Sequence, residues 1–354
     1  MSILDTRTLA LDNPDETERA YAAEDLGYCN EAQAVTSLLE RLPHESSPVV
    51  RDAICQALIR LDFDASIEGA VQLFASEDAQ LRNLGVEVLR HKGERSIPFL
   101  KKELEQGDQD MRKFVLDVLS GIQAGGTSEI YAAALGDQDL NVVITAVENI
   151  GKLQAKEFRS QIEDLLTSDA HPMLVAACLE ALAEVGNESS LRAIRRLFPE
   201  LTDQPAFVLT PCLKALAALG GETEFAELAR LLPLRSSDVW PAILGALIAI
   251  HRRCIRLFKE PPELSEEVRA VLEAETISED SSTCRYQAAR VLGFWAQRVE
   301  VREFLVACLA SGERLVRLGA AEALRMSGLP GMDALLAKQQ LAEADLEVEP
   351  GRGR

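Results

Sequence analysis

The strongest constraint on this chain is a pattern that returns about every thirty residues. Near the C-terminus it reads Leu315-Val-Arg-Leu-Gly-Ala-Ala-Glu-Ala-Leu324, followed by Met326, Ser327 and Gly328. An Arg follows an apolar residue, small residues come next, then an Ala-Leu pair, and a Gly closes the run. A self-similar unit of this length has room for two short helices and two turns, and it cannot bury its apolar face alone. Neighbouring units must therefore stack, so the chain grows by adding units rather than separate domains.

Aligning the units on a small–apolar pair places those pairs at Ala22/Ala23, Ala57/Leu58, Val88/Leu89, Val118/Leu119, Ala146/Val147, Ala181/Leu182, Ala215/Leu216, Ala246/Leu247, Val291/Leu292 and Ala323/Leu324. Successive spacings are 35, 31, 30, 28, 35, 34, 31, 45 and 32. Seven residues before the second member stand Arg51, Arg82, Arg112, Arg285 and Arg317. Four residues after it stand Gly27, Gly93, Gly151, Gly186, Gly220 and Gly328, where a helix C-terminus favours glycine. Turns such as Ser76-Glu-Asp78, Gly107-Asp108, Gly136-Asp137 and Ser168-Asp169 offer N-caps. The other helix of each hairpin shows as apolar residues at three- and four-residue steps, for example Val35–Leu42, Ile67–Phe74 and Phe225–Leu232. Aromatics are only 5% within a hydrophobic content of 47%, and small side chains let helices approach closely. The expected fold is all-α: a right-handed α-solenoid of about ten helical hairpins. Residues 1–338 are expected to form a single array with a longer insertion around 252–263. Residues 339–354 lose the pattern and read as a disordered tail.

These columns resemble HEAT repeats, in particular the short bacterial type named after phycobilisome lyases. The resemblance runs from about Pro14 to Lys338. It implies a structural ladder in which Arg51, Arg82, Arg112, Arg285 and Arg317 pair with turn carboxylates such as Asp78, Asp108 and Asp110. The pattern departs from the family in the middle, where the Arg column reads Leu140, Val175, Leu209 and Trp240.

Catalytic chemistry finds little support. His44, His91, His171 and His251 lack metal-ligand spacing, and no phosphate-binding loop or nucleophile elbow is present. Seven scattered cysteines form no CxxC pair, which points to a reducing compartment with neither disulfides nor zinc. A net charge of -20 argues against nucleic acid as ligand, and against the cationic face of a helical-repeat DNA glycosylase. The polar start, Met1 to Asp15, holds no apolar signal core, and no apolar run reaches membrane-spanning length. The reading is a cytoplasmic protein without catalytic residues, metal or cofactor, and with no membrane contact.

The second helix of each hairpin lines the concave side of such arrays. Its positions least suited to a core are polar in the first five units, as at Asp52, Gln56, Arg60, Asn83, Glu87 and Lys113. From the sixth unit they turn apolar, as at Ala183, Ala217, Ile248, Phe294, Leu318 and Met326, with Trp240 opening the eighth second helix. Two readings stay open: a groove for a protein partner, or burial by tighter curvature. In the first, Trp240, Ile248, Phe294, Leu318 and Met326 hold an amphipathic helix or extended peptide, and Arg252 and Arg253, with Arg256, hold an acidic group on it. The expected function is a non-enzymatic scaffold or adaptor. The family resemblance implies an alternative, chromophore attachment or chaperoning of the phycobilin-lyase kind, for which His251, Arg252 and Arg253 are a loose match.

Overall fold

The computed structural model describes residues 3–122, 125–235, 238–254, 263–278 and 282–338. Among these residues every regular element is helical. The chain divides into two compact units, Met1–Ile150 and Gly151–Arg354. The expected insertion falls largely on residues 255–262 and the expected tail on 339–354, and both lie outside the described residues.

First and second helices alternate without exception. In the first unit they run α1 Ile3–Ala10, α2 Glu16–Leu26, α3 Ala32–Arg41, α4 Pro48–Arg60, α5 Asp64–Gln72, α6 Ala79–Lys92, α7 Ile97–Gln106, α8 Gln109–Leu119, α9 Thr127–Ala134 and α10 Leu140–Lys152, the last ending just past the boundary. The second unit continues with α11 Arg159–Asp164, α12 Pro172–Val185, α13 Glu188–Leu197, α14 Ala206–Leu219, α15 Glu222–Leu231, α16 Trp240–Cys254, α17 Glu266–Ile277, α18 Ser282–Leu292, α19 Val299–Cys308, α20 Arg314–Met326 and α21 Met332–Lys338. Even-numbered helices are the second helices of ten hairpins, which makes the fold an α-solenoid. Leu, Ile, Val and Ala from both helices fill the space between hairpins, with Leu38, Ile54, Leu58 and Leu89 fully buried in the first unit and Phe225 and Trp295 in the second.

The start of each second helix explains the Arg column. Asp15, Ser47, Asp78 and Asp108 cap α2, α4, α6 and α8 by accepting backbone N–H groups of the first turn. The fourth residue of the helix then reaches back to the preceding turn. Arg19 donates to the carbonyls of Asn13 and Pro14, Arg82 to those of Ser76 and Glu77, and Arg317 to those of Ser311 and Gly312. Some of these arginines also cross to a carboxylate of the next hairpin. Arg51 reaches Asp78 at 2.8 Å, Arg112 grips both oxygens of Asp137 at 2.7 and 2.8 Å, and Arg285 approaches Glu313 at 3.5 Å. Of the turn carboxylates expected to serve this ladder, Asp78 receives Arg51, while Arg112 takes Asp137. Asp108 caps α8 instead.

Counted this way, the repeat register is Arg19, Arg51, Arg82, Arg112, Val143, Val175, Leu209, Ile243, Arg285 and Arg317. Its spacing is 30 to 34 residues, apart from 42 between Ile243 and Arg285. The pairs Ala22/Ala23, Ala146/Val147 and Ala246/Leu247 thus lie one helical turn early. The slip hid Arg19 and placed Leu140 and Trp240 in the Arg column, whose occupants there are the buried Val143 and Ile243. Residues three apart lie on the same side of a helix, so both alignments look alike in sequence.

The glycine column also separates into two roles. Gly93, Gly186 and Gly220 follow the last turns of α6, α12 and α14. Gly27, Gly151 and Gly293 instead mark close backbone approach. A Cβ there would come within 2.8 Å of Ala57 Cα, 2.9 Å of Ala181 Cα and 2.8 Å of Ala323 Cα respectively. Each glycine stands at the twelfth position from its helix start and meets the tenth position of the next second helix. Where the fourth position is apolar, polar ties move to the first helices: Ser189 and Ser190 donate to Glu163, and Arg195 pairs with Glu224 and Glu227.

Two predictions follow from this packing. Glu45 has no exposed side-chain surface and accepts from Arg19, Arg41 and the Ser47 N–H at 2.7 to 3.0 Å. Burial alone would raise its pKa, but the hydrogen bonds from Arg19, Ser47 and Arg41 outweigh it and bring it down to about 2. Glu45→Gln should cost about 3 kcal/mol at neutral pH in urea unfolding, because it strands two guanidinium groups. With a depressed folded-state pKa, the stabilisation is complete above the usual carboxylate range and is lost as pH falls toward 2. The variant should lose less stability than wild type over that fall. The second prediction is that Gly293→Ala destabilises by about 1–3 kcal/mol despite alanine's better helix propensity. Adding Ala323→Gly should recover part of that loss.

Candidate partner-binding face

The register defines which side of each second helix is left over once the core is filled. Positions 2, 5, 9 and 13 from the helix start fall within one sector of the helical wheel, although position 5 is buried in the second unit at Ala176, Leu244, Tyr286 and Leu318. At position 9 the side chains reach from helix to helix. Gln56 of α4 donates to Glu87 of α6 at 3.2 Å, and Arg290 of α18 pairs with Glu322 of α20 at 3.0 Å. These residues form the middle of a continuous face within each unit. In the first unit position 9 reads Glu24, Gln56, Glu87, Asp117 and Glu148. In the second it reads Glu180, Lys214, Ile248, Arg290 and Glu322. Large apolar side chains also project from this face, Tyr28 and Val49 in the first unit and Met173 and Phe207 in the second, with Tyr21 beside it at position 6 of α2, each more than half exposed. The Tyr28 ring carries the guanidinium of Arg60 4.8 Å from its centroid.

The residues expected to line a groove separate under this geometry. Ile248 and Leu318 are buried, at 9% and 4% exposure, so they lie under the face rather than on it. Trp240 is half-buried, and its indole N–H donates to the carbonyls of Leu232 and Arg235, fastening the start of α16 to the preceding turn. Phe294 is half-buried against His251, ring on ring at 3.7 Å and 14°, with Phe225 at 5.7 Å. Burial lowers the pKa of that imidazole. Arg253 donates to the carbonyls of Ala217 and Gly220, where α14 ends without a side-chain partner of its own. Arg252 is exposed, and Met326 is half-buried at position 13 of α20. Arg256 lies outside the described residues. The structure therefore brings Arg252, Phe294 and Met326 into one column, position 13 of three successive second helices. Sequence reasoning missed Tyr21, Tyr28, Met173 and Phe207, although the exposed position 2 shared by Met173 and Phe207 becomes visible once the register is right.

Buried thiols dominate the cysteines. All seven are free and six are buried. Burial pushes Cys55, Cys178 and Cys212 up to about 12 and Cys308 up to about 11, which leaves them protonated small hydrophobes. Among the described residues, no group of three or more His, Cys, Asp or Glu could hold a metal ion. No described helix is long and apolar enough to cross a membrane. In the first unit a cleft of about 330 Å³ opens between α7 and α9, lined by Ile97, Leu104, Ile130 and Val142 above the Arg112–Asp137 pair.

Burial and face position make different predictions for neighbouring residues of α16. Ile248→Asp should lower stability by several kcal/mol, because it places an unpaired carboxylate under the face. Arg252→Glu should leave the unfolding free energy within about 0.5 kcal/mol of wild type. Parallel denaturant titrations measure both.

The family model described as HEAT repeats matches residues 4–90. A comparison with curated proteins returned no match. Among solved structures, importin β in an ammonium sulfate condition matches with a TM-score of 0.57 at 12% identity, covering 96% of this chain and 54% of its own. Kap95p, in the complex where it induces the RanGDP switch loops to adopt the GTP-bound conformation, matches at 0.53 and 12% identity, covering 97% and 50%. Kap121p bound to Ste12p matches at 0.51 and 15% identity, covering 92% and 41%. The chain spans about half the length of these structures, and the likeness shows a shared fold. The HEAT-repeat model matches the first hairpins directly, and the same alternation of helices recurs through the described residues, an α-solenoid fold like that of these structures.

Proposed function

We propose that this protein is a non-enzymatic scaffold or adaptor that binds a protein partner along the face of its second helices, read as one array over residues 1–338. The observation that carries the reading is the continuity of position 9 from helix to helix. Gln56 touches Glu87 and Arg290 touches Glu322, in a line of side chains that lies outside the core except at Ile248. Exposed Tyr21, Tyr28, Met173 and Phe207 stand along that line among charged neighbours. Apolar groups rimmed by polar ones suit an extended or helical peptide. Arg252, Arg253, Phe294 and Met326 belong to the same face, with Trp240 at its edge. The structural neighbours lend support by analogy, since Kap121p is described bound to Ste12p and, separately, to Nup53p. A net charge of -20 disfavours a nucleic-acid partner, and buried thiols suit a reducing, cytoplasmic setting.

The test uses two variants of the full chain, Tyr21→Asp with Tyr28→Asp, and Met173→Asp with Phe207→Asp. All four side chains are more than half exposed, so helicity and unfolding midpoint should stay at wild-type values. A third variant, Ile277→Asp at the exposed end of the first helix α17, serves as control. At least one face variant should bind a captured partner tenfold more weakly than wild type, while the control binds normally. Equal binding by all forms, or loss in the control alone, overturns the reading.

A further inference from the structure

The cleft of about 330 Å³ in the first unit opens between two first helices, away from the face of the second helices. Its walls end side by side, because Arg112 donates to the carbonyl of Gly107 just past α7 and grips Asp137 shortly past α9. Ile97 and Leu104 of α7 face Ile130, Ala133 and Ala134 of α9 across the gap. Between the first helices α3 and α5, by contrast, Leu39 packs directly over Gly69 and leaves no gap there. Beside α7 the two alanines of α9 offer only methyl groups, and the space stays open above the buried Ile130 and Val142.

Size and charge both point to a ligand. A cavity of ~150 Å³ already holds benzene, and small-molecule sites run from about 300 Å³. From Ile97 to Glu105 the cleft follows α7 for about 12 Å, which suits an elongated apolar body. Its two ends differ in charge. Toward the start of the helices, Lys101 of α7 and Glu129 of α9 line opposite walls and balance each other. At the other end Arg112 and Asp137 neutralise one another at 2.7 Å, which leaves the exposed Glu105 without a cation among the described residues. Both α7 and α9 also finish there, each C-terminus adding about half a negative charge. That end therefore favours a positive group and repels a carboxylate. Exposure of Glu105 lets such a group keep part of its hydration. We propose that the cleft binds a small cationic amphiphile, its hydrocarbon chain lying between α7 and α9 and its protonated amine beside Glu105. The site does not depend on the scaffold reading, because it uses none of the residues of the second-helix face.

The test titrates the full chain with octylamine and octanoate by calorimetry, at moderate salt so that diffuse attraction to the acidic surface is screened. Wild type should bind octylamine saturably at one site and at least tenfold more tightly than octanoate. Ala134→Leu fills the cleft without changing charge and should weaken octylamine at least tenfold. Ala133→Leu, at an exposed position on the same wall, provides the same test should the first variant fail to fold. Glu105→Gln should cut the preference for octylamine over octanoate at least threefold while the unfolding midpoint stays at its wild-type value. No saturable octylamine binding, octanoate binding as tightly, undiminished binding to a folded leucine variant, or an unchanged preference in Glu105→Gln each overturns the proposal. Dimerisation of wild type that the leucine variants abolish would assign the cleft to a second copy and overturn it as well.

Discussion

The close approach of successive second helices is the constraint on which the rest of each unit depends. At Gly27, Gly151 and Gly293 one helix presents no side chain at all to the alanine of the next, and even a methyl group would collide with backbone. Helices this close leave no room between them for large rings, which accounts for the scarcity of aromatics in so apolar a chain. Position 12 of α16 shows the alternative. His251 stands there in place of glycine, and its ring stacks on Phe294 of α18 rather than letting the backbones meet. Phe225 and Trp295 gather around the same point, each within 6.5 Å of a neighbouring ring. Rings fill the volume where small residues are lacking.

A second device fixes the turns. An Arg at the fourth helical position gives its backbone N–H to the capping residue's carbonyl, as Arg82 does to Asp78, while its guanidinium is long and planar enough to reach carbonyls five and six residues earlier, and it remains charged. It binds its own turn and, at Arg51 and Arg112, also an acid of the next hairpin. Asp78 serves both ends of this arrangement, since one oxygen caps α6 and the other receives Arg51. In the middle of the chain Val143, Val175, Leu209 and Ile243 bury the same position in the core. The polar ties do not vanish there. They shift to the first helices, at Glu163 and at the Arg195 cluster, so a hairpin keeps one polar link whichever helix supplies it.

The alternation of helices and the repeat itself were legible in the sequence, because both rest on local signals: apolar period, caps and glycine stops. The register was legible only to within one turn. Ala146 and Asn149, or Leu247 and Ile250, lie on one side of a helix, and only the Arg–carbonyl bonds and glycine contacts tell the two alignments apart. That slip carried into the site. It set Trp240 in the Arg column, whereas the structure has it opening α16 with its indole N–H bonded to the preceding turn. Exposure of apolar residues on second helices was legible only in part, because it also depends on the neighbour's side-chain size. Leu318 lies under the face while Met326, eight residues later on the same helix, reaches its surface. The use of Arg253 to close the end of α14 likewise needs a neighbour more than thirty residues away.

The two units share one helical register and carry different faces. Position 9 is almost wholly acidic in the first unit, where a row of carboxylates on adjacent helices would repel along its length. Gln56 interrupts the row between Glu24 and Glu87 and turns one such contact into a hydrogen bond, while Lys113 pairs with Asp117 one turn away. In the second unit the same position carries both signs, and cross-helix pairs such as Arg290–Glu322 and Lys214–Glu184 neutralise much of it internally. Most of these exchanges leave the core untouched, because position 9 meets chiefly its counterparts on neighbouring helices; Ile248, which sinks into the core, is the exception. Charge on the face can therefore vary from hairpin to hairpin while the glycine contacts and turn arginines hold the stack unchanged, and it is this separation that lets one repeat present two chemically different surfaces.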